Sequence, residues 1–219
     1  MVVVLTMTLA LTSCVRVYYA DPINARVVDA ATGAPIEGVN ILAAWEANGG
    51  LEGGNIMGYV KVMEDVTDAN GKFSFPGWGP KVWFRGAIRD GAPLLILLKP
   101  GYEVSLVWEG KYGVEFAPSH LSSSWNGKDI RLKKFTAPEE EYRQFMSGLA
   151  TTLDVLINQG DCAWRSAPRF LKKVDEQRRR FEAFPGDRAL ISIPSLDAMD
   201  RRASRVCGSL KDFILERGQ

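Results

Sequence analysis

Residues 29–39 read Asp29-Ala30-Ala31-Thr32-Gly33-Ala34-Pro35-Ile36-Glu37-Gly38-Val39, DAATGAPIEGV. Before them Ile23-Asn24-Ala25-Arg26-Val27 alternates in polarity, as a half-buried strand does. After them comes an apolar run, Val39-Asn40-Ile41-Leu42. Gly33 can take a positive φ and turn the chain. Pro35 fixes φ and cannot donate to a ladder, so it marks the edge where the next strand begins. Gly38 suggests a bulge or a close backbone approach. Thr67-Asp68-Ala69-Asn70-Gly71-Lys72-Phe73 supplies a second reversal, and Asn70-Gly71 is a hairpin signal. Working outward, short apolar runs split by turn residues give candidate strands at Ile23–Val28, Val39–Trp45, Tyr59–Thr67, Lys72–Phe75, Lys81–Ile88, Leu94–Leu98, Glu103–Trp108 and Asp129–Leu132. Strands of this length and spacing predict an antiparallel β-sandwich over residues 22–135.

The chain has 219 residues, 46% of them hydrophobic and 24% charged, as in a globular protein. Its formal net charge is +1, from 27 basic and 26 acidic residues. Nucleic acid is excluded as the main partner, because phosphate binding needs a large basic excess. His120 is the only histidine, so no site needing two or three His ligands can form.

Three ordered motifs carry a family resemblance. Val27-Val28-Asp29 through Ile41, then Val66-Thr67-Asp68 through Trp78, then Leu97-Leu98-Lys99-Pro100-Gly101-Tyr102-Glu103 together resemble the carboxypeptidase regulatory-like domain. The resemblance covers roughly Ile23 to Phe135 and implies a prealbumin-like (transthyretin-like) sandwich. Family members accompany metallocarboxypeptidases and many bacterial surface proteins, usually without being catalytic. With a single His, the peptidase activity does not transfer. The glycine-rich insert at residues 46–58 reads as a loop.

Residues 1–13, MVVVLTMTLALTS, contain no charge. As a helix they would span about 20 Å, short of the roughly 30 Å hydrocarbon core, so they read as a signal peptide. Leu11-Thr12-Ser13-Cys14 resembles the lipobox of bacterial lipoproteins. That resemblance implies cleavage before Cys14 and acylation of that residue, hence a membrane partner and a place in the cell envelope. Val15, rather than an aspartate, follows the cysteine, which in such proteins leans toward the outer membrane, facing the periplasm. The remaining cysteines, Cys162 and Cys207, form an even pair that can oxidise outside the cytosol. Two buried free thiols are the alternative.

Beyond Phe135 the apolar period changes to that of helices, predicting a helical subdomain of about three helices over 136–219. Thr136-Ala137-Pro138-Glu139 reads as a capping box. Tyr142, Phe145, Met146, Leu149, Leu153 and Leu156 follow helical spacing. A second helix is expected over Pro168–Phe184, burying Phe170, Val174, Phe181 and Phe184. A third starts near Ser195 and places Leu196, Met199, Ala203, Val206, Leu210 and Phe213 on one stripe. The cations Lys172, Lys173, Arg178, Arg179, Arg180, Arg201, Arg202 and Arg205 read as solvated helix faces. Contact with anionic lipid phosphates beside an anchor is the functional alternative.

Chemistry-bearing patterns are sparse. Asp68-Ala69-Asn70-Gly71 opens like a calcium loop, but the twelfth position from Asp68 is Gly79, where the closing acid belongs. Ser122, Ser123 and Ser124 lie near His120 without a nucleophile elbow. No catalytic residue, metal ligand or cofactor is therefore assigned. Five of the six tryptophans fall in the β region, and Trp78, Trp83 and Trp125 are the candidate ligand-binding residues, with Trp78 in Pro76-Gly77-Trp78-Gly79-Pro80 the one expected at the surface. Exposed indoles stack on sugars, whereas sandwich cores also use tryptophan. The expectation is thus a non-enzymatic, lipid-anchored envelope protein whose sandwich is an interaction or scaffold module for an envelope protein partner. A glycan-binding module is the alternative.

Overall fold

A computed structural model describes residues 15–49, 55–88, 91–109, 118–138, 141–142, 146, 148–158, 161–182, 193–203 and 205–218. The described strands are β1 (Arg16–Ala20), β2 (Ile23–Asp29), β3 (Asn40–Gly49), β4 (Asn55–Val66), β5 (Lys72–Phe75), β6 (Trp78–Trp83), β7 (Ala87–Ile88), β8 (Leu94–Leu98), β9 (Ser105–Val107), β10 (His120–Leu121) and β11 (Asp129–Leu132). They form a three-stranded sheet β10-β1-β6, a three-stranded sheet β11-β2-β5, and a five-stranded sheet in which β4-β3-β8-β9 run in order and β7 pairs with the far end of β3. Pairing is antiparallel except for β1 with β10 and β2 with β11. The fold is a largely antiparallel β-sandwich with a C-terminal helical part.

The stretch 29–39 decides the sandwich because it changes sheets. β2 lies in a three-stranded sheet and β3 in the five-stranded one, so these residues form a corner. Asp29 builds it: its Oδ1 accepts from Ala31 N at 3.0 Å, Thr32 N at 2.9 Å and Thr32 Oγ1 at 3.1 Å. The Gly33 amide donates to Asp29 O at 2.8 Å, and Gly33 takes φ +72° as the turn requires. Thr67 stitches the far end. Its Oγ1 accepts from Val39 N at 2.8 Å and donates to Ile36 O at 2.7 Å. Asn70-Gly71 is likewise a corner, not the hairpin its residues suggest: β4 pairs with β3, whereas β5 pairs with β2. Asp68 Oδ1 accepts from the amides of Asn70 and Lys72, both at 2.8 Å, so it serves the turn.

Two cores share the five-stranded sheet. Ile41, Ala43 and Trp45 of β3 and Leu95 and Leu97 of β8 face the three-stranded sheets, where they meet Tyr18, Ile23, Val27, Phe73, Phe75, Ile130 and Leu132. Leu42 and Ala44 of β3 and Leu94, Ile96 and Leu98 of β8 face the helices. That explains the unbroken run Leu94-Leu95-Ile96-Leu97-Leu98, buried on both faces, since a covered strand has no polar side to alternate with. On β4 a bulge at Val60 shifts phase, so Val60 joins the inner core while Tyr59 and Val62 face the helices.

The helical layer comprises α1 (Ala150–Asn158), a 3-10 turn (Ala163–Ser166), α2 (Pro168–Glu182), α3 (Leu196–Arg202), a 3-10 turn (Arg205–Cys207) and α4 (Leu210–Arg217). Tyr142, Met146, Leu149, Leu153, Leu156, Phe170 and Val174 are buried, whereas Phe145 and Phe184 fall outside the described residues and so does the Phe181 side chain. α2 starts with Pro168 and is capped from the sheet: Glu64 of β4 accepts from Arg169 N at 3.2 Å, Arg169 Nε at 3.1 Å and Phe170 N at 2.8 Å. An acidic group there complements the helix dipole.

Several expectations are corrected. The third helix breaks into α3, a 3-10 turn and α4. Ala203 turns extended (ψ 146°), Gly208 takes φ +80°, and Ser209 starts α4 by accepting from Asp212 N at 3.1 Å. Val206 therefore leaves the apolar stripe and is 93% exposed. The insert at 46–58 carries strand at both ends, through Gly49 and from Asn55, with 50–54 outside the described residues. Residues 78–83 are strand rather than turn; β6 is an edge strand, where Pro80 removes no ladder bond the sheet needs.

Candidate functional site

The sandwich packs the three candidate tryptophans, Trp78, Trp83 and Trp125, against its inner core. Trp83, on β6 with its side chain inward, is 8% exposed. Trp78 stands edge-on to Trp45, ring centroids 5.3 Å apart, and packs with Trp125 against the inner core. Trp78 is half-buried, and the exposed indole is Trp108, at 49%. The surface position expected for Trp78 is corrected, because its strand pairing turns the ring onto the core. Cys14 falls outside the described residues. Cys162 and Cys207 lie at disulfide distance, Cα–Cα 5.7 Å, and are bonded. Cys162 adopts φ 59°, the left-handed region, just before the first 3-10 turn, and buried Cys207 ends the second.

His120 is exposed on β10, and its Nε2 lies 2.8 Å from Asp21 Oδ1. Ser123 Oγ and the Ser124 amide instead donate to the Glu109 carboxylate, so serine and histidine belong to separate networks. No group of three or more His, Cys, Asp or Glu side chains converges as metal ligands would among the described residues.

Among the described residues, a shallow, open cleft of about 460 Å³ lies on the outer face of β11-β2-β5. Asn24, Arg26, Lys72, Gly127, Lys128 and Asp129 line it. Strand alternation puts them there: Ile23, Ala25 and Val27 point inward, so Asn24 and Arg26 point out. The Lys128 corner is tied down by Gly127 N donating to Asn24 O at 2.7 Å and Asn24 N donating to Asn126 Oδ1 at 2.9 Å. Ser74 Oγ donates to Asn24 Oδ1 at 2.7 Å.

Charge in the cleft is unbalanced. Arg26 makes a two-pronged pair with Asp129, Nε to Oδ1 at 2.9 Å and Nη2 to Oδ2 at 2.7 Å. Those hydrogen bonds, ahead of simple charge attraction, hold the Asp129 carboxyl below its usual range and raise the Arg26 guanidinium. On the other side of β2, Arg26 sits directly opposite Lys72. Like charges facing across a strand pair are unfavourable. Asp129 offsets one cation, leaving Lys72 and Lys128 exposed and without a carboxylate partner among the described residues. The surface can therefore hold a carboxylate or another anion through two ammonium groups beside a fixed guanidinium.

A buried polar group lies elsewhere, at the base of the glycine-rich insert. Glu46 and Tyr59 face each other on β3 and β4. Burial first, then the charges of Glu46 and Asp161, push the Tyr59 hydroxyl well above its usual range; that hydroxyl donates to Thr152 O at 3.3 Å. Asp161 Oδ1 accepts from Ala163 N at 3.2 Å while its Oδ2 is buried without a hydrogen-bond partner. Sequence reading missed both features; the lone polar residue Glu46 after an apolar run and the facing cations Arg26 and Lys72 were the available signals.

No family model matches the chain. No curated protein matches it either. Among solved structures, similarity is found to a 3-chlorocatechol 1,2-dioxygenase from Rhodococcus opacus 1CP, at 19% identity and TM-score 0.29 over 54% of this chain and 61% of that one. A 9R-lipoxygenase from Cyanothece PCC8801 is similar at 13% identity and TM-score 0.28, over 71% of this chain and 25% of that one. The chain thus spans less than two thirds of either protein, and TM-scores this low carry no statement about activity.

Proposed function

We propose that the chain is a lipid-anchored cell-envelope protein whose sandwich is a protein-interaction module, with the outer face of β11-β2-β5 as its docking surface. The observation that carries this reading is the facing of Arg26 and Lys72 across β2 and β5, with Lys128 at the rim and, among the described residues, Asp129 alone paired against them. A like-charge pair lowers stability, so it is better matched to an acidic partner segment than to folding. The lipobox-like Leu11-Thr12-Ser13-Cys14 supports the anchor, and the Cys162–Cys207 bridge fits an oxidising compartment. The three ordered turn motifs support membership of the carboxypeptidase regulatory-like domains, whose bacterial members serve surface proteins. In this reading the acylated Cys14 holds the chain at the outer membrane, facing the periplasm.

The test is crosslinking in intact cells followed by affinity capture, with the wild type beside the Lys72→Glu/Lys128→Glu variant. Both residues are exposed, so the fold is retained. A protein bound by the wild type, lost from the variant and released by raised salt is expected. Identical recovery with both would overturn the docking surface.

A further inference from the structure

We propose that the outer face of the β10-β1-β6 sheet is a bilayer-seating surface that beds the sandwich onto the lipid headgroup boundary beside the anchor. The proposal rests on the acylated Cys14 of the preceding section, and it adds an orientation to that anchor. β1 begins two residues after Cys14. At about 3.3 Å per strand residue, Val15, Val17 and Tyr19 all lie within roughly 17 Å of the acylated position.

Along β1, Tyr18 is inward at 1% exposure, while its neighbours alternate outward: Val15 and Tyr19 are each 47% exposed and Val17 is half-buried. Register extends the apolar stripe to the next strand. Val17 pairs with Val82 and Arg16 with Trp83. Trp83 points inward, so Val82, 46% exposed, and Phe84, 67% exposed, share the outer face with the β1 residues. Val17, Tyr19 and Val82, with Val15 and Phe84 just beyond the strand ends, thus form an apolar stripe on the outer face of two neighbouring strands, where a sheet face open to water would carry polar residues, and exposed His120 of β10, opposite Tyr19, borders it. Exposed Lys81 of β6 and exposed Arg85, two residues beyond its end, alternate with Val82 and Phe84 and so border the stripe instead of lying in it. The Arg85 guanidinium lies 5.7 Å from the Trp83 ring centroid. An apolar centre with an aromatic pair and a cationic rim has the composition of a surface that enters the headgroup region and meets anionic lipid.

A bilayer is favoured over a second copy of the chain for two reasons. The stripe starts at the acylated end itself, and a lipid attached at Cys14 brings the membrane to it without further association. The seat contributes orientation more than retention, since several acyl chains already hold a protein stably. It also fixes which way the β11-β2-β5 cleft is presented, through the short Asp21-Pro22 link between β1 and β2.

The experiment places a photoreactive benzophenone amino acid at position 82, 84 or, as control, 72 in the full chain. Each form is purified from membranes and reconstituted in phosphatidylethanolamine–phosphatidylglycerol vesicles. After irradiation, mass spectrometry reads lipid adducts and chain-to-chain adducts, and separately the mass of the N-terminal peptide. About tenfold more lipid adduct at 82 and 84 than at 72 is expected, the ratio of a 1.4 kcal/mol difference. Equal adducts at the three positions, or adducts at 82 and 84 mainly to a second copy, would overturn the seat. The peptide mass reports on the anchor independently. An acylated Cys14 with equal adducts removes the seat and keeps the anchor; an unmodified Cys14 with the tenfold contrast removes the anchor and keeps the seat.

Discussion

Loss of the Cys162–Cys207 bridge has a magnitude that follows from the fold. The two residues are 45 apart in sequence, and the bond joins the 3-10 turn before α2 to the one before α4. In the chain-entropy model, opening a loop of that length returns about 4 kcal/mol of conformational freedom to the unfolded chain. The left-handed φ of 59° at Cys162 costs alanine about as much as cysteine, roughly 1 kcal/mol, so it offsets none of this. The net expectation for Cys162→Ala/Cys207→Ala is a loss of about 2–4 kcal/mol, or roughly 5–15 °C in Tm for a chain this size. Alanine leaves no buried thiol, and Cys207 is only 4% exposed, so a small cavity adds to the loss. The assay is urea unfolding followed by tryptophan fluorescence. Trp164, fully buried and stacked edge-on to Phe213 at 5.5 Å, reports on this layer directly. A midpoint unchanged in the double variant, with the wild-type bridge verified by mass, would refute the reasoning.

Glu64→Ala should cost about 2 kcal/mol by removing the cap on α2 and a charge at its positive end, with Glu64→Gln losing less; urea midpoints decide between them. Gly33→Ala should cost only about 1 kcal/mol, because a Cβ there meets nothing within 4 Å. Gly71→Ala should cost about 3 kcal/mol, because at the same kind of positive φ its Cβ runs into the backbone oxygen of Val27; equal losses would contradict the corner geometry. Acid should weaken the fold. The Thr32 amide foremost holds the Asp29 carboxyl low, Arg26 does so for Asp129, and Lys211 for Asp197. Carboxyls depressed on folding stabilise above their ordinary pKa and lose that contribution as pH falls, here below about pH 4. Urea midpoints from pH 6 to pH 2 should fall in that window, and Asp29→Asn should flatten the slope. Alkali acts oppositely: burial pushes the Tyr142 hydroxyl up to about 12 and the Tyr59 hydroxyl well above its usual range. A raised phenol stabilises below its unfolded pKa and loses that contribution as pH rises, so absorbance titration should leave these two silent at about pH 10, where the tyrosines of an unfolded chain ionise.

What could be read from the chain divides by range of interaction. Lys72–Phe75, Leu94–Leu98 and Asp129–Leu132 have the same bounds in sequence and structure, because each is short, apolar or alternating, and closed by turn residues. The corner at 29–39 is legible because Asp29, Gly33 and Pro35 act on their own neighbours. Which sheet the next strand joins is not local: Gly71 looks the same in a hairpin and in a corner. β1 and β10 were missed because Arg16–Ala20 mixes polar and apolar residues, and its parallel partner lies about a hundred positions away. Pro76-Gly77-Trp78-Gly79-Pro80 carries turn chemistry, yet an edge strand tolerates it. The stripe from Leu196 to Phe213 kept helical spacing although Cys207 is tied to Cys162 and Gly208 breaks the helix. The cleft was invisible because Arg26, Lys72 and Asp129 come from three separated strands.

The most direct measurement is the intact mass of the chain recovered from membranes of a bacterium producing it, with fragmentation of its N-terminal peptide. The account predicts a chain that begins at Cys14 and carries acyl groups on that residue. A chain that retains Met1 to Ser13, or a Cys14 thiol free to alkylate, would contradict it.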